Sequence, residues 1–288
     1  MKRKHCLNFI KLPIIAIALT AGTAFAGTET VAPAPIAPAE DDCISGVLTL
    51  AGNSHFVSYG KDVYGTGSSL SQPQFNPSLE FTFKLPENFA LTLGTWWDIH
   101  DKAAPGFASS DSGLGSHIQE IDVWAGLSYT WDKLTVGATY QSWIYGGSTE
   151  SIVDVKVGYD CLLSPTLTWH NRVDEGASLG DNGSVLVLGL SHTFELGPVS
   201  LSTPVNFAAN LTDDYNTNAL IGQTSSDSGY AYTSAGLQAA YPLEFLGDCY
   251  GEWSLVGGLT YYWTNGSVIP VNPINHFLTY NFGLSATF

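Results

Sequence analysis

FLTYNFGLSATF, residues 277–288, alternates without a break: Leu278, Tyr280, Phe282, Leu284, Ala286 and Phe288 take one parity, Thr279, Asn281, Gly283, Ser285 and Thr287 the other. A period of two is that of a β-strand, whose successive side chains point to opposite faces. One face is wholly apolar, the other small and polar. In a transmembrane barrel such an apolar face meets lipid and the polar face lines the lumen. A strand ending on Phe288 fits that arrangement better than a soluble sandwich, where an exposed terminal aromatic is awkward.

The same alternation recurs along the chain. It predicts twelve strands, the first over 45–59, the eighth over 184–196 and the ninth over 199–211. Their connections are of two kinds. PEN at 86–88, DK at 132–133, CLLSP at 161–165, GP at 197–198 and GDCYG at 247–251 are tight, whereas those around 61–77, 102–119, 212–232 and 264–276 are long. One-sided insertion into a bacterial outer membrane gives short periplasmic turns and long extracellular loops. The expected fold is therefore all-β: a closed antiparallel transmembrane barrel of about twelve strands.

Composition agrees. Charged residues make up 12% of the 288, against 44% hydrophobic, while average soluble domains carry about 25% charged residues. The long apolar run, 12–26, is shorter than the roughly 18–20 residues a membrane-spanning helix needs. Lys2, Arg3, Lys4 and Lys11 precede or open it, and Ala24-Phe25-Ala26 supplies a small-residue cleavage site. Residues 1–26 thus read as a signal peptide, 27–42 (GTETVAPAPIAPAEDD) as a Pro/Ala-rich periplasmic tail, and 43–288 as the barrel. Cleavage would remove four of the ten basic residues and none of the 26 acidic ones. So acidic a protein repels nucleic acid.

Charges inside strands cannot face hydrocarbon cheaply, at roughly 2–4 kcal/mol for a midplane base and less for an acid. Parity sends them inward: Glu80 and Lys84, Asp98 and His100, Glu120 and Asp122, Asp154 and Lys156, then His170, Arg172 and Asp174. Trp96, Trp124 and Trp143 join them, with Gln141 between. These residues form the expected pore lining, acidic in balance and favouring cations or neutral polar solutes. The inward aromatics also read as lumen filling, since no plugging loop or helix is apparent.

Other chemistry finds little support. Glu120, Asp122 and Asp98 imitate glycosidase acids, but an acidic lumen produces such pairs anyway. No GxSxG, HExxH or phosphate-binding Gly loop is present, so neither catalysis nor a cofactor or metal is expected. Cys43, Cys161 and Cys249 all fall at the periplasmic rim of this topology, where Cys43 and Cys249 are the expected pair for a disulfide.

The final strand is similar to the C-terminal assembly signal of bacterial outer-membrane barrels. That resemblance implies that the assembly machinery reads Tyr280, Phe282, Leu284 and Phe288. SLEFTFKL, LTLGTWWDIHD, EIDVWAGLSYTW, LTVGATYQSW and ESIVDVKVGYD resemble the repeated strands of an uncharacterised, porin-like group of Gram-negative outer-membrane barrels. Where that group carries Arg-Gly after the first strand, this chain has Val57-Ser58-Tyr59-Gly60-Lys61. The expected function is a channel for small hydrophilic solutes, embedded in outer-membrane lipid. The alternatives are a closed structural or adhesive barrel displaying its loops and, more distantly, a lipid-acting enzyme using His192.

Overall fold

A computed structural model describes residues 43–64, 73–100, 117–145, 148–175, 180–218, 221–246 and 251–288. The expected signal peptide and tail, 1–42, lie outside these residues. Each expected strand has a counterpart in the wall: β1 (Ile44–Asn53), β4 (Gln74–Lys84), β5 (Phe89–Ile99), β6 (Ile118–Trp131), β7 (Leu134–Ile144), β8 (Thr149–Tyr159) and β9 (Thr166–Asp174) run in order around it. Next come β10 (Gly183–Leu190) with β11 (Thr193–Leu196), β12 (Val199–Ser202) with β13 (Val205–Asn210), β14 (Gly229–Pro242), β15 (Glu252–Thr264) and β16 (His276–Thr287). Both composite pairs are single staves interrupted at Ser191–His192 and at Thr203–Pro204. Proline lacks the N–H that a ladder needs, so the expected unbroken strands over 184–196 and 199–211 are each split. Twelve antiparallel staves result.

The sheet closes on itself, because β16 pairs with β15 on one edge and with β1 on the other, from Val47↔Thr287 to Asn53↔Asn281. The seam is completed by Gly46 and Phe288, whose backbones exchange two hydrogen bonds of 2.6 and 3.0 Å. The Phe288 ring lies over Gly46 and meets Phe81 edge-on at 6.0 Å. Any side chain at position 46 would occupy the place of that ring.

The outer surface is apolar. Leu93, Val123, Leu127, Val136, Leu237, Leu259 and Phe282 are all exposed, which in water would be an aggregation liability. Aromatics ring both ends of this belt, with Phe89, Tyr129, Trp131, Tyr159 and Tyr241 near the short turns and Phe75, Trp97, Tyr230 and Trp263 near the long loops. Such girdles mark membrane interfaces. The chain forms a transmembrane β-barrel.

One expectation fails in an informative way. The first strand was expected to run to residue 59, yet β1 stops at Asn53 and the chain turns into the lumen. Residues 54–64 form a hairpin, β2 (Val57–Ser58) against β3 (Lys61–Asp62). Tyr59 and Gly60, both with positive φ (47° and 81°), make its two-residue turn, the geometry favoured for tight hairpins. A plugging segment therefore exists, and it comes from a loop.

Candidate functional site: the lumen and its inward-folded hairpin

Three loop segments meet inside the loop-side half of the barrel: the hairpin 54–64, residues 214–218 between β13 and β14, and residues 268–272 between β15 and β16. Asn272 ties two of them together, accepting the Asp62 N–H at 2.8 Å and donating its amide to the Gly60 carbonyl at 2.8 Å. Asn216 donates to the Val268 carbonyl at 3.0 Å, joining the third.

The hairpin sits between two apolar clusters. On one side Phe56 and Tyr64 pack with Trp96 and Trp124. On the other, Val57 and Tyr59 join Trp143, Ile152, Tyr232, Tyr262 and Ile269. The three tryptophans expected in the lumen are there, each no more than 5% exposed.

Polar anchors repeat a theme. Tyr64 of the hairpin donates its hydroxyl to the Asp98 carboxylate, with His100 edge-on to the Tyr64 ring at 4.3 Å. Tyr215 from the second segment lies 2.9 Å from His170 Nε2, while His170 Nδ1 is 2.7 Å from Asp154. Two of the three infolded segments thus dock a tyrosine on an Asp/His pair of the wall. The Tyr59 ring packs on His170 with centroids 3.8 Å apart and planes tilted by 31°. Arg172 pairs with Glu150, lies 3.9 Å from the Tyr215 ring and donates to the Tyr215 and Asp181 carbonyls at 3.0 Å. A buried guanidinium is tolerable when its donors are this fully engaged.

Of the expected lining residues, Glu80, Asp98, Glu120, Asp122, Gln141, Asp154, Lys156, His170 and Arg172 point inward in the strand register, and Lys84 does so at the turn-side rim. Gln141 donates to Asp154 at 2.6 Å, and Trp124 to Glu80 at 3.0 Å. Asp174 requires a correction. A register shift between Ser151 and Ile152 sets it opposite outward-facing Ser151, exposed at the end of β9. Parity counting misses one-residue bulges of this kind.

Along the barrel axis the lumen changes character. On the loop side the inward positions are large and buried. On the turn side many are small: Thr49, Thr82, Thr92, Ser128, Gly137, Thr139, Thr168, Ala240 and Ser285 face inward and remain partly exposed, with the longer Glu80 and Lys156 among them and Thr135 and Ser254 buried. Inward-facing residues that keep exposure line a water-accessible vestibule, closed at its inner end by the infolded loops.

Around the circumference it also changes. From β4 to β9 the wall carries the charges just named. From β12 round to β1, inward residues such as Asn206, Ser234, Gln238, Thr260, Asn281 and Asn53 are neutral amides and hydroxyls, with Glu252 only at the turn-side rim. Sequence reasoning missed this arc, because only the pairing of distant strands assembles it. It also missed Glu150, which shares the parity of Asp154 and Lys156.

The remaining expected features are placed as follows. Tyr280, Phe282 and Leu284 face outward on β16. Cys43 and Cys161 are exposed at the turn-side end, and Cys249 lies outside the described residues. His192 Nδ1 is 2.7 Å from the Leu162 carbonyl and its ring meets Phe194 edge-on at 4.5 Å. Among the described residues no group of three or more His, Cys, Asp or Glu is arranged to hold a metal ion, and no helix is long and apolar enough to cross a membrane.

No protein-family model matches the chain, and no curated protein does. Among solved structures it is similar to the KdgM porin (9% identity, TM-score 0.45, over 84% of this chain and 99% of that one). It is similar also to the NanC porin (10%, 0.44, 83% and 98%) and to the outer membrane phospholipase A from Escherichia coli (13%, 0.40, 84% and 89%).

Proposed function

We propose that the protein is an outer-membrane channel of porin type, exported by its N-terminal signal, that passes small hydrophilic solutes and rests in a closed conformation. The observation that carries this reading is the unequal filling of the lumen. A barrel built as a solid structural body has no need of partly exposed Gly, Ser, Thr and Ala residues lining the turn-side end of its lumen. Here the blockage comes from three loop segments held by tyrosine, asparagine and stacking contacts, each polar contact worth about 1 kcal/mol net. Segments so held open locally without unfolding the wall.

On this reading the short turns face the periplasm, the vestibule opens there, and the loops close the extracellular side. Inward-facing acids on the charged arc, Glu80, Asp98, Glu120, Asp122, Glu150 and Asp154, outnumber Lys61, Lys156 and Arg172. An open state accordingly favours cations and neutral solutes over anions. Planar-bilayer recording under a salt gradient tests the assignment. Intermittent steps with a cation-directed reversal potential are expected, whereas anion-selective steps would contradict the acidic path.

A further inference from the structure

Under the hairpin, the charged arc carries an alternating row of aromatic and acidic side chains. Strand register sets Trp96, Asp122, Trp143 and Glu150 side by side across β5, β6, β7 and β8. One step nearer the loops, Asp98 stands opposite Glu120. These acids are not equally provided for. Asp98 receives the Tyr64 hydroxyl and an Asn76 amide proton at 3.0 Å. Glu150 pairs with Arg172 and receives the Tyr145 hydroxyl at 3.3 Å. Asp122 is fully buried, yet neither of its oxygens meets a donor among the described residues, and Glu120 Oε1 meets none either. The polar neighbour of Asp122 is Glu120, a second acid. A buried pair of carboxyl groups so placed needs a proton or a cation.

The hairpin points to the cation. It covers the row at both indoles: Phe56 packs on Trp96 with ring centroids 5.1 Å apart, and Val57 and Tyr59 join the cluster around Trp143. Beside them it carries Lys61, whose ammonium lies in the fields of Glu150 and Glu120. The segment that blocks the lumen thus brings a primary amine on an aliphatic stem to these acids. Its departure uncovers the row and takes that amine away. Indole faces attract an ammonium group and, once desolvated, hold it more strongly than water-exposed rings do.

We propose that this row binds a small aliphatic ammonium, a primary amine or diamine, which takes the place of Lys61 when the hairpin leaves the lumen. Asp122 and Glu120 accept the ammonium protons, and Trp96 and Trp143 pack on the alkyl chain. A neutral alcohol of the same length brings no charge to the two acids, and a dicarboxylate is repelled by them. The inference deepens the channel reading, on which it rests, by naming the cation that an open path selects.

The test is calorimetric titration, in detergent micelles, of a variant with residues 55–63 replaced by a short Gly-Ser linker. The probes are 1,4-diaminobutane, 1,4-butanediol and succinate, which are cationic, neutral and anionic on one four-carbon chain. Saturable diamine binding is expected, at least tenfold tighter than to wild-type protein, whose hairpin competes, with the diol and succinate at least tenfold weaker. Adding Asp122→Asn to the linker variant should weaken the diamine at least tenfold, whereas Asp174→Asn, at the exposed end of β9, should leave it unchanged. Retention of heat-modifiable gel mobility checks that each variant still forms the barrel. The proposal is overturned if the folded linker variant gives no saturable heat with the diamine, which would leave the two acids holding a proton only. It is overturned also if the diol or succinate binds as tightly, if wild type binds the diamine as tightly as the linker variant, or if Asp122→Asn binds like its parent. Binding in micelles does not require conduction. Diamine binding by a linker variant that is silent in bilayers would strike the channel reading alone, and a conducting linker variant blind to the diamine would strike this site alone.

Discussion

At the scale of single residues, two contacts carry more than their size suggests. Gly46 is where the seam closes, and a Cβ there meets the Phe288 ring. Gly46→Val should displace that ring and weaken first-to-last strand pairing. The expected readout is loss of the fast-migrating, unboiled gel form at a temperature several degrees lower than in wild type. Asn272 holds the hairpin by both halves of its amide. Truncation to Ala leaves the Asp62 N–H and the Gly60 carbonyl without it, at about 1–3 kcal/mol for each buried group so orphaned. Asn272→Ala should therefore raise open probability in bilayers roughly tenfold or more while leaving barrel mobility unchanged.

At the scale of elements, what was legible in the sequence depended on whether the signal was local. The alternation of β16 and the inward parity of Glu120 and Asp122 on β6 are period-two patterns within one strand, so they could be read directly. The hairpin could not. Val57-Ser58-Tyr59 continues the alternation of β1 and reads as more strand, and only Gly60 hints at a turn. The row formed by Gln238, Asn281 and Asn53 was invisible for a different reason, since Asn53 and Asn281, more than 200 positions apart, become neighbours only through register.

Lys61 adds a titratable anchor to the hairpin. Burial, reinforced by the nearby Arg172 and opposed by Glu150 and Glu120, lowers its pKa to about 8, below the roughly 10.4 of a solvated lysine. Between these values the released hairpin binds more protons than the seated one, so seating strengthens as pH rises from about 8 towards 10. Openings should be rarer at pH 9.5 than at pH 7.5, and Lys61→Met should flatten that dependence. An unchanged slope in the variant would remove Lys61 from the account.

At the scale of the whole molecule, a closed twelve-stave wall with an apolar exterior places the chain in a membrane, and the proposal of a channel over a solid barrel rests on its two-part lumen. Wall and blockage are different parts of the chain, with different consequences when removed. Shortening the hairpin should leave the wall standing, because its strand pairings run through β1 and β4 and do not involve residues 55–63. The most direct measurement is single-channel conductance of the refolded protein beside a variant in which residues 55–63 are replaced by a short Gly-Ser linker, both retaining heat-modifiable mobility. Sustained cation-selective current from the variant, against brief openings or silence in wild type, is the predicted result. Silence from both would contradict it and identify the lumen as a permanent core.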